Sequence, residues 1–227
     1  MNRKAAVFPL SMVGAALVCF VAAFFTLTHN VIKPPYGMLS LLLIPALVFL
    51  AIAVLAWKGK LSLRASTGLT LVSTLILLIL SVLYCFVLVF TIATTSVTDI
   101  SYYEKIVTTL QDRPGIEAFP ETVPDDAELF YTPAFLQGGE VLEISYAPET
   151  EVLQRLCNEL TSSAMWYGEK EAFRRYTGMS LYEANESDTI YLLWLKGYVP
   201  GSYNHGEETY VIVNQAKGMV LFHYSHW

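Results

Sequence analysis

Three of the four histidines fall between His205 and Trp227, beside carboxylates that could share a cation with them. His205-Gly206-Glu207-Glu208 reads as a glycine-bearing turn, and His223-Tyr224-Ser225-His226 lies just before Trp227. If the segments around Tyr210 and Phe222 pair as a hairpin, His205 approaches the far end of the second strand. Imidazoles with a carboxylate suit zinc or copper, so His205, His223 and His226 form a candidate metal set for a surface metal-dependent hydrolase. The spacing argues against it. Residues three apart on a strand project to opposite faces, and the pattern matches no strong metal motif. Scattered surface histidines are the simpler reading, and no cofactor is expected.

Other chemistry is thinner still. The sequence has no Gly-x-Ser-x-Gly, no Ser-x-x-Lys, no Cys close to a His and no glycine-rich phosphate loop. Asp125-Asp126 and Glu207-Glu208 are neighbours in sequence rather than carboxylates held across a cleft, and they read as solvated turn residues. Cys157 lies on an apolar helical stripe, where a thiol behaves as a small hydrophobe. Aromatic side chains crowd the last third. Those not needed for a core could contact a partner, and Trp166, Tyr203 and Trp227 are the candidates for such a surface.

The elements that would position these residues begin with lipid. From Ala65 to Thr98 there is no Asp, Glu, Lys or Arg, and Leu69 to Ile92 is dominated by Leu, Ile, Val and Phe. A stretch that long and apolar reads as a transmembrane span. Two earlier runs, Ala5 to Ile32 and Pro34 to Trp57, are also uncharged except at their edges. The apolar core Ala6–Leu27 is too long for a signal-peptide core, so it reads as a retained span. The predicted spans cover about residues 6–27, 38–57 and 68–93, the second kinked at Pro45.

Charge divides the chain sharply. All 20 acidic residues lie from Asp99 onward with eight Lys and Arg, a net −12, whereas six basic and no acidic residues precede Asp99. Arg3, Lys4, Lys58, Lys60 and Arg64 share one side of the predicted topology, opposed there by Lys33. Positive loops stay cytoplasmic, which places the N-terminus inside and the acidic domain outside. That domain would repel nucleic acid. It contains one cysteine, so no internal disulfide can form, and an outward domain of this kind suits a bacterial surface. Small and hydroxyl residues, Ser11, Ala15, Cys19 and Ala22 on one span and Thr70, Thr74, Ser81 and Cys85 on another, could pack helix on helix. No ionisable residue inside the spans suggests a proton or ion path.

The acidic part should begin with a short helix over 101–112, apolar at Tyr103, Ile106, Val107 and Leu110; Asp99 to Glu104 offers two possible caps, of which Ser101 with Glu104 has capping-box spacing. It reads as a stalk or as the first helix of the domain. Pro-rich sequence follows to about residue 127. Strands are predicted at Glu128–Phe135, Val141–Tyr146, Thr189–Leu195, Glu208–Asn214 and Gly218–Ser225. After Pro148 a helix carries Leu153, Leu156, Cys157 and Leu160, and a weaker helical signal covers Glu169–Tyr176.

The expected fold is a membrane protein: three transmembrane α-helices followed by a small α+β domain with a mainly antiparallel sheet. Its parts are a 1–98 anchor, a 99–127 stalk and connector, and a 128–227 extracytoplasmic domain. The function that fits is binding or sensing at the cell membrane, with the lipid bilayer and a membrane or cell-surface protein as partners. The hydrolase and an accessory subunit of a larger complex are the alternatives.

Overall fold

Where water is absent, a backbone must satisfy its own N–H and C=O groups, so uncharged apolar sequence becomes helix. The computed structural model describes residues 3–134, 139–181, 183–197 and 206–226. The chain forms two units, Met1–Ile92 and Ala93–Trp227.

The first unit is helical. Helix α1 spans Arg3–Asn30, α2 Tyr36–Ser40, α3 Ile44–Trp57 and α4 Leu63–Thr94. Three stretches, Arg3–His29, Tyr36–Trp57 and Leu63–Thr94, are long and apolar enough to cross a membrane. Their exposed surfaces carry Val18, Phe25, Leu75 and Phe86, as contact with lipid requires. Between α2 and α3 lies a 3-10 turn, Leu41–Leu43, and Pro45 sits in the first turn of α3. The irregularity expected at Pro45 is therefore made just ahead of it. In a first turn the missing N–H has no helical acceptor to lose. Helical threonines donate back to carbonyls one turn earlier, Thr28 to Phe24 and Thr74 to Thr70, so their hydroxyls need no water. Ser66 Oγ donates to Ala5 O at 2.7 Å and Tyr84 OH to Met38 O at 2.7 Å, tying α4 to its neighbours.

The second unit is built on a six-stranded sheet of β1 Glu128–Thr132, β2 Glu140–Tyr146, β3 Trp166–Glu169, β4 Thr189–Lys196, β5 Glu207–Asn214 and β6 Met219–His226. The strands lie in the order β1-β2-β6-β5-β4-β3, every neighbour antiparallel. Alternation sorts the side chains. Leu142, Ile144, Val211, Val213, Phe222 and Tyr224 share one side and are buried. On that side lie α5 (Tyr103–Leu110), a turn at Ile116–Ala118 and α6 (Thr150–Ser163). Phe119 meets Phe222 with ring centroids 5.4 Å apart. The opposite side packs Ile190, Leu192, Tyr210 and Ile212 under Phe173 of α7 (Lys170–Thr177), with Leu181 and Ala184.

The architecture matches the expected class: three long apolar helices, then an antiparallel sheet with helices. Details differ. The sheet has a sixth strand, β3, four residues long, containing Gly168 and running straight into α7. Too short for visible alternation, it carried no strand signal. Asp99, not Ser101, caps the first helix: its Oδ1 accepts from Ser101 N at 3.1 Å and from Ser101 Oγ at 2.7 Å, and a 3-10 turn precedes α5. Tyr103, Ile106 and Leu110 are buried within the second unit. Outside β1, Val97 exchanges backbone hydrogen bonds of 2.8 and 2.9 Å with Tyr131, which covers part of an edge that would otherwise invite pairing.

Gly115 turns the chain between α5 and the sheet. Its φ is +81°, and a Cβ there would come within 2.6 Å of the Thr209 side chain, whose Oγ1 donates to Pro114 O at 2.8 Å. Gly218 shares the positive φ but has open space around it. Both Gly→Ala variants should therefore lose stability to backbone strain of roughly 1–3 kcal/mol, with Gly115→Ala losing more because it also collides. Thermal unfolding of the full chain in nanodiscs checks this. Equal losses would remove the role given to the Thr209 contact.

Candidate functional site

Strand β6 carries most of the polar chemistry, and alternation divides it between the two sides of the sheet. His223 stands opposite Glu143 on β2 and Tyr210 on β5. Its Nδ1 is 2.9 Å from Glu143 Oε1, its Nε2 3.8 Å from Glu208 Oε1, and its ring stacks on Tyr210 at 4.3 Å. Ser225 Oγ donates to Glu208 Oε1 at 3.1 Å. Burial pushes the Glu208 carboxyl above its ordinary pKa, and His223 and the Ser225 hydroxyl partly offset that.

The reading of Glu207-Glu208 as a solvated turn fails for Glu208, which is only 5% exposed. Strand β5 begins at Glu207, so adjacent carboxylates go to opposite sides of the sheet. On the other side, His226 lies across from both Glu140 and Glu207. Glu140 accepts from Tyr131 OH at 2.9 Å and lies 3.6 Å from Arg113 Nη2, while Tyr224 OH donates to Glu207 at 3.3 Å. Burial, then the Glu140 charge, raises the Tyr131 phenol and keeps it a donor.

The histidines of the candidate metal set are thus not brought together. His223 and His226 occupy opposite sides of the sheet, and His205 lies outside the described residues. Among the described residues no group of three His, Cys, Asp or Glu is arranged to hold a metal ion. Of the aromatic candidates, Trp166 is half-buried, edge-on to Phe173 at 5.7 Å and stacked on Tyr176 at 5.5 Å. Its ring lies so close to Gly168 that a Cβ there would approach within 2.8 Å. Trp166 therefore packs against the α7 core at the sheet edge. Tyr203 and Trp227 lie outside the described residues.

A site that the motifs did not suggest lies on the α5 and α6 side. A cleft of about 490 Å³ opens between α6 and the segment 115–120. Phe119, Tyr146, Phe222 and Leu193 line it from the segment and the sheet, and Leu156 and Leu160 from α6. Arg155, Glu159, Glu117 and Ser163 supply its polar groups. The apolar stripe Leu153, Leu156, Cys157 and Leu160 reads in sequence as core. Leu153 and Leu160 are buried, but Leu156 is only half-buried and forms a cleft wall. Nothing local in the sequence announces that gap, because its far wall comes from a segment some 40 residues earlier.

In the first unit, a groove of about 320 Å³ is lined by Ala15, Cys19, Thr74, Ser81 and Cys85 among others. Five of the eight small residues read as helix-packing faces thus border open space, while Thr70 is buried and α1 packs chiefly along α3. No family model, curated protein or solved structure was found to match the chain.

Glu208 yields a pH test. Its folded-state pKa is raised, so ionisation opposes folding as pH rises through that value and the penalty is relieved on acidification. Glu208→Gln keeps an oxygen for Ser225 and removes the charge. The variant should gain roughly 2–4 °C in midpoint at pH 8 and gain less, or lose, at pH 5. An equal shift at both pH values would show that Glu208 does not titrate between them.

Proposed function

We propose that this protein is a membrane-anchored binding or sensing module whose second unit faces away from the cytoplasm and takes a small ligand in the cleft beside α6. The observation that carries the reading is the cleft itself. Its volume falls within the range of small-molecule sites, about 300–1,000 Å³, and apolar walls with a few polar groups at fixed positions are what such sites have in common. Its half-buried wall residues Tyr146, Leu156 and Leu193 are backed by buried Phe222 and Phe119, 1% and 5% exposed, so the ligand would meet a preformed surface.

The orientation rests on charge. Arg3, Lys4, Lys58, Lys60 and Arg64 flank the spans on one side, and Lys33 alone flanks them on the other. Such an excess of basic residues holds its side in the cytoplasm. A membrane-impermeant amine reagent applied to intact cells should modify exposed Lys217 and spare Lys58 and Lys60. The reverse pattern would overturn the orientation.

The site is tested with a neutral probe. Methyl NMR of the full chain in nanodiscs, titrated with indole, should shift the methyls of Val152, Leu156, Leu160 and Leu193. Leu156→Trp, which fills the cleft, should abolish those shifts. Indole shifts confined to methyls of the membrane spans would overturn the reading.

A further inference from the structure

We infer that the ligand of the cleft is a monocarboxylate with an apolar body, an inference that rests on the cleft being the binding site. The polar groups around it are unequal. Arg155 is the single cation among the lining residues, with Glu159 on the same helix and Glu117 on the facing segment. Three other cations of the second unit are engaged, and none of the unit's other cations lines the cleft. Arg113 lies 3.6 Å from Glu140, Arg174 lies 4.0 Å from Glu171, and Lys170 Nζ donates to Ala184 O at 2.7 Å. Arg155 has no ion pair or hydrogen bond with the described residues. Glu151 and Glu159 stand one turn to either side of it on α6, yet neither closes to within 4.0 Å.

A guanidinium offers two parallel N–H donors matched to a carboxylate, and such charge-assisted pairs are among the stronger hydrogen bonds. An anion docked on Arg155 would bring its body against Leu156, Tyr146 and Leu193, the half-buried residues of the cleft wall. The Tyr146 hydroxyl is the one donor on that surface and the rest is hydrocarbon, so the body is chiefly apolar. The charge limit follows from the same residues. Glu117 and Glu159 repel a second negative charge, and the unit around them is already at net −12. A phosphate dianion would meet one guanidinium and two carboxylates. A carboxylate monoanion asks for the one cation available.

The test uses the full chain in nanodiscs of zwitterionic lipid at pH 7.5, read by the methyls of Val152, Leu156, Leu160 and Leu193. Phenylacetate, phenethylamine, phenyl phosphate and benzyl alcohol are titrated in turn against the wild type and Arg155→Gln. Phenylacetate should bind about tenfold more tightly than each of the other three, as one charge-assisted hydrogen-bond pair provides. Arg155→Gln should reduce phenylacetate to the level of benzyl alcohol. Equal or tighter binding of the amine or the phosphate would overturn the inference, as would phenylacetate binding that ignores Arg155→Gln. If indole still shifts the cleft methyls in those cases, the ligand class has failed and the site stands. If neither indole nor phenylacetate shifts them, the site has failed as well.

Discussion

The second unit depends on β6 pairing on both sides at once. Val220–His226 runs against Glu140–Tyr146 of β2, and Met219–His226 runs against Glu207–Asn214 of β5. Without it, the β1–β2 hairpin and the β3–β4–β5 meander would be two separate pieces, each with an unpaired edge. A two-stranded hairpin is marginal alone, so β1–β2 joins the rest of the sheet in one object only when β6 is in place. This pairing joins residues about 80 positions apart, such as Glu143 and His223, and contacts so distant make folding slow. It also sets which β6 side chains face the cleft and which face the opposite side. A slip by one residue would exchange Phe222 and His223, putting imidazole in the wall of the cleft and phenyl among carboxylates.

That register explains why a strand rich in polar residues can be central. Each described histidine of β6 is placed between acidic residues of its own side: His223 has Glu143 and Glu208, and His226 has Glu140 and Glu207. Leaving one of these groups buried without a partner would cost a few kcal/mol. The network of Tyr131, Tyr224, Ser225 and Arg113 supplies partners for most of them. His223 Nε2 is the exception, buried with no hydrogen bond and 3.8 Å from Glu208. Its charge attraction to Glu208 stands in for that missing bond whenever the imidazole is protonated.

Sequence periodicity made much of this legible. The three apolar stretches, the alternation of Val141 to Tyr146 and the stripe on α6 follow from burial needs that act on neighbouring residues. What stayed hidden arises from distant ones. Glu207-Glu208 looks like a turn until the strand is known to begin at Glu207. Trp166 looks available until Gly168 and α7 are folded against it. Four residues of β3 are too few to show alternation, and Asp99 competes with Ser101 for the same cap from two positions away. The cleft is the extreme case. Phe119, Arg155 and Phe222 belong to three stretches with unrelated local patterns, and only the sheet assembles them.

Why that cleft stays open bears on its purpose. A helix lying on a sheet gains roughly 25 cal/mol for each Å² of apolar surface it covers, so α6 would be expected to settle until Leu156 was buried like Leu153 and Leu160. The segment 115–120 lies across the cleft from it. It is held at one end by the Thr209 hydroxyl on Pro114 O and at the other by the Tyr103 hydroxyl on Pro120 O, at 2.8 and 2.7 Å. Phe119 anchors it to Phe222 between those points. Two hydrogen bonds and a ring contact thus fix that segment, and Tyr146, Leu193 and Leu156 are left half-buried beside it. Stability alone gives no reason to hold apolar walls apart, whereas the proposed ligand seat would, since a wall already in place need not be ordered on binding.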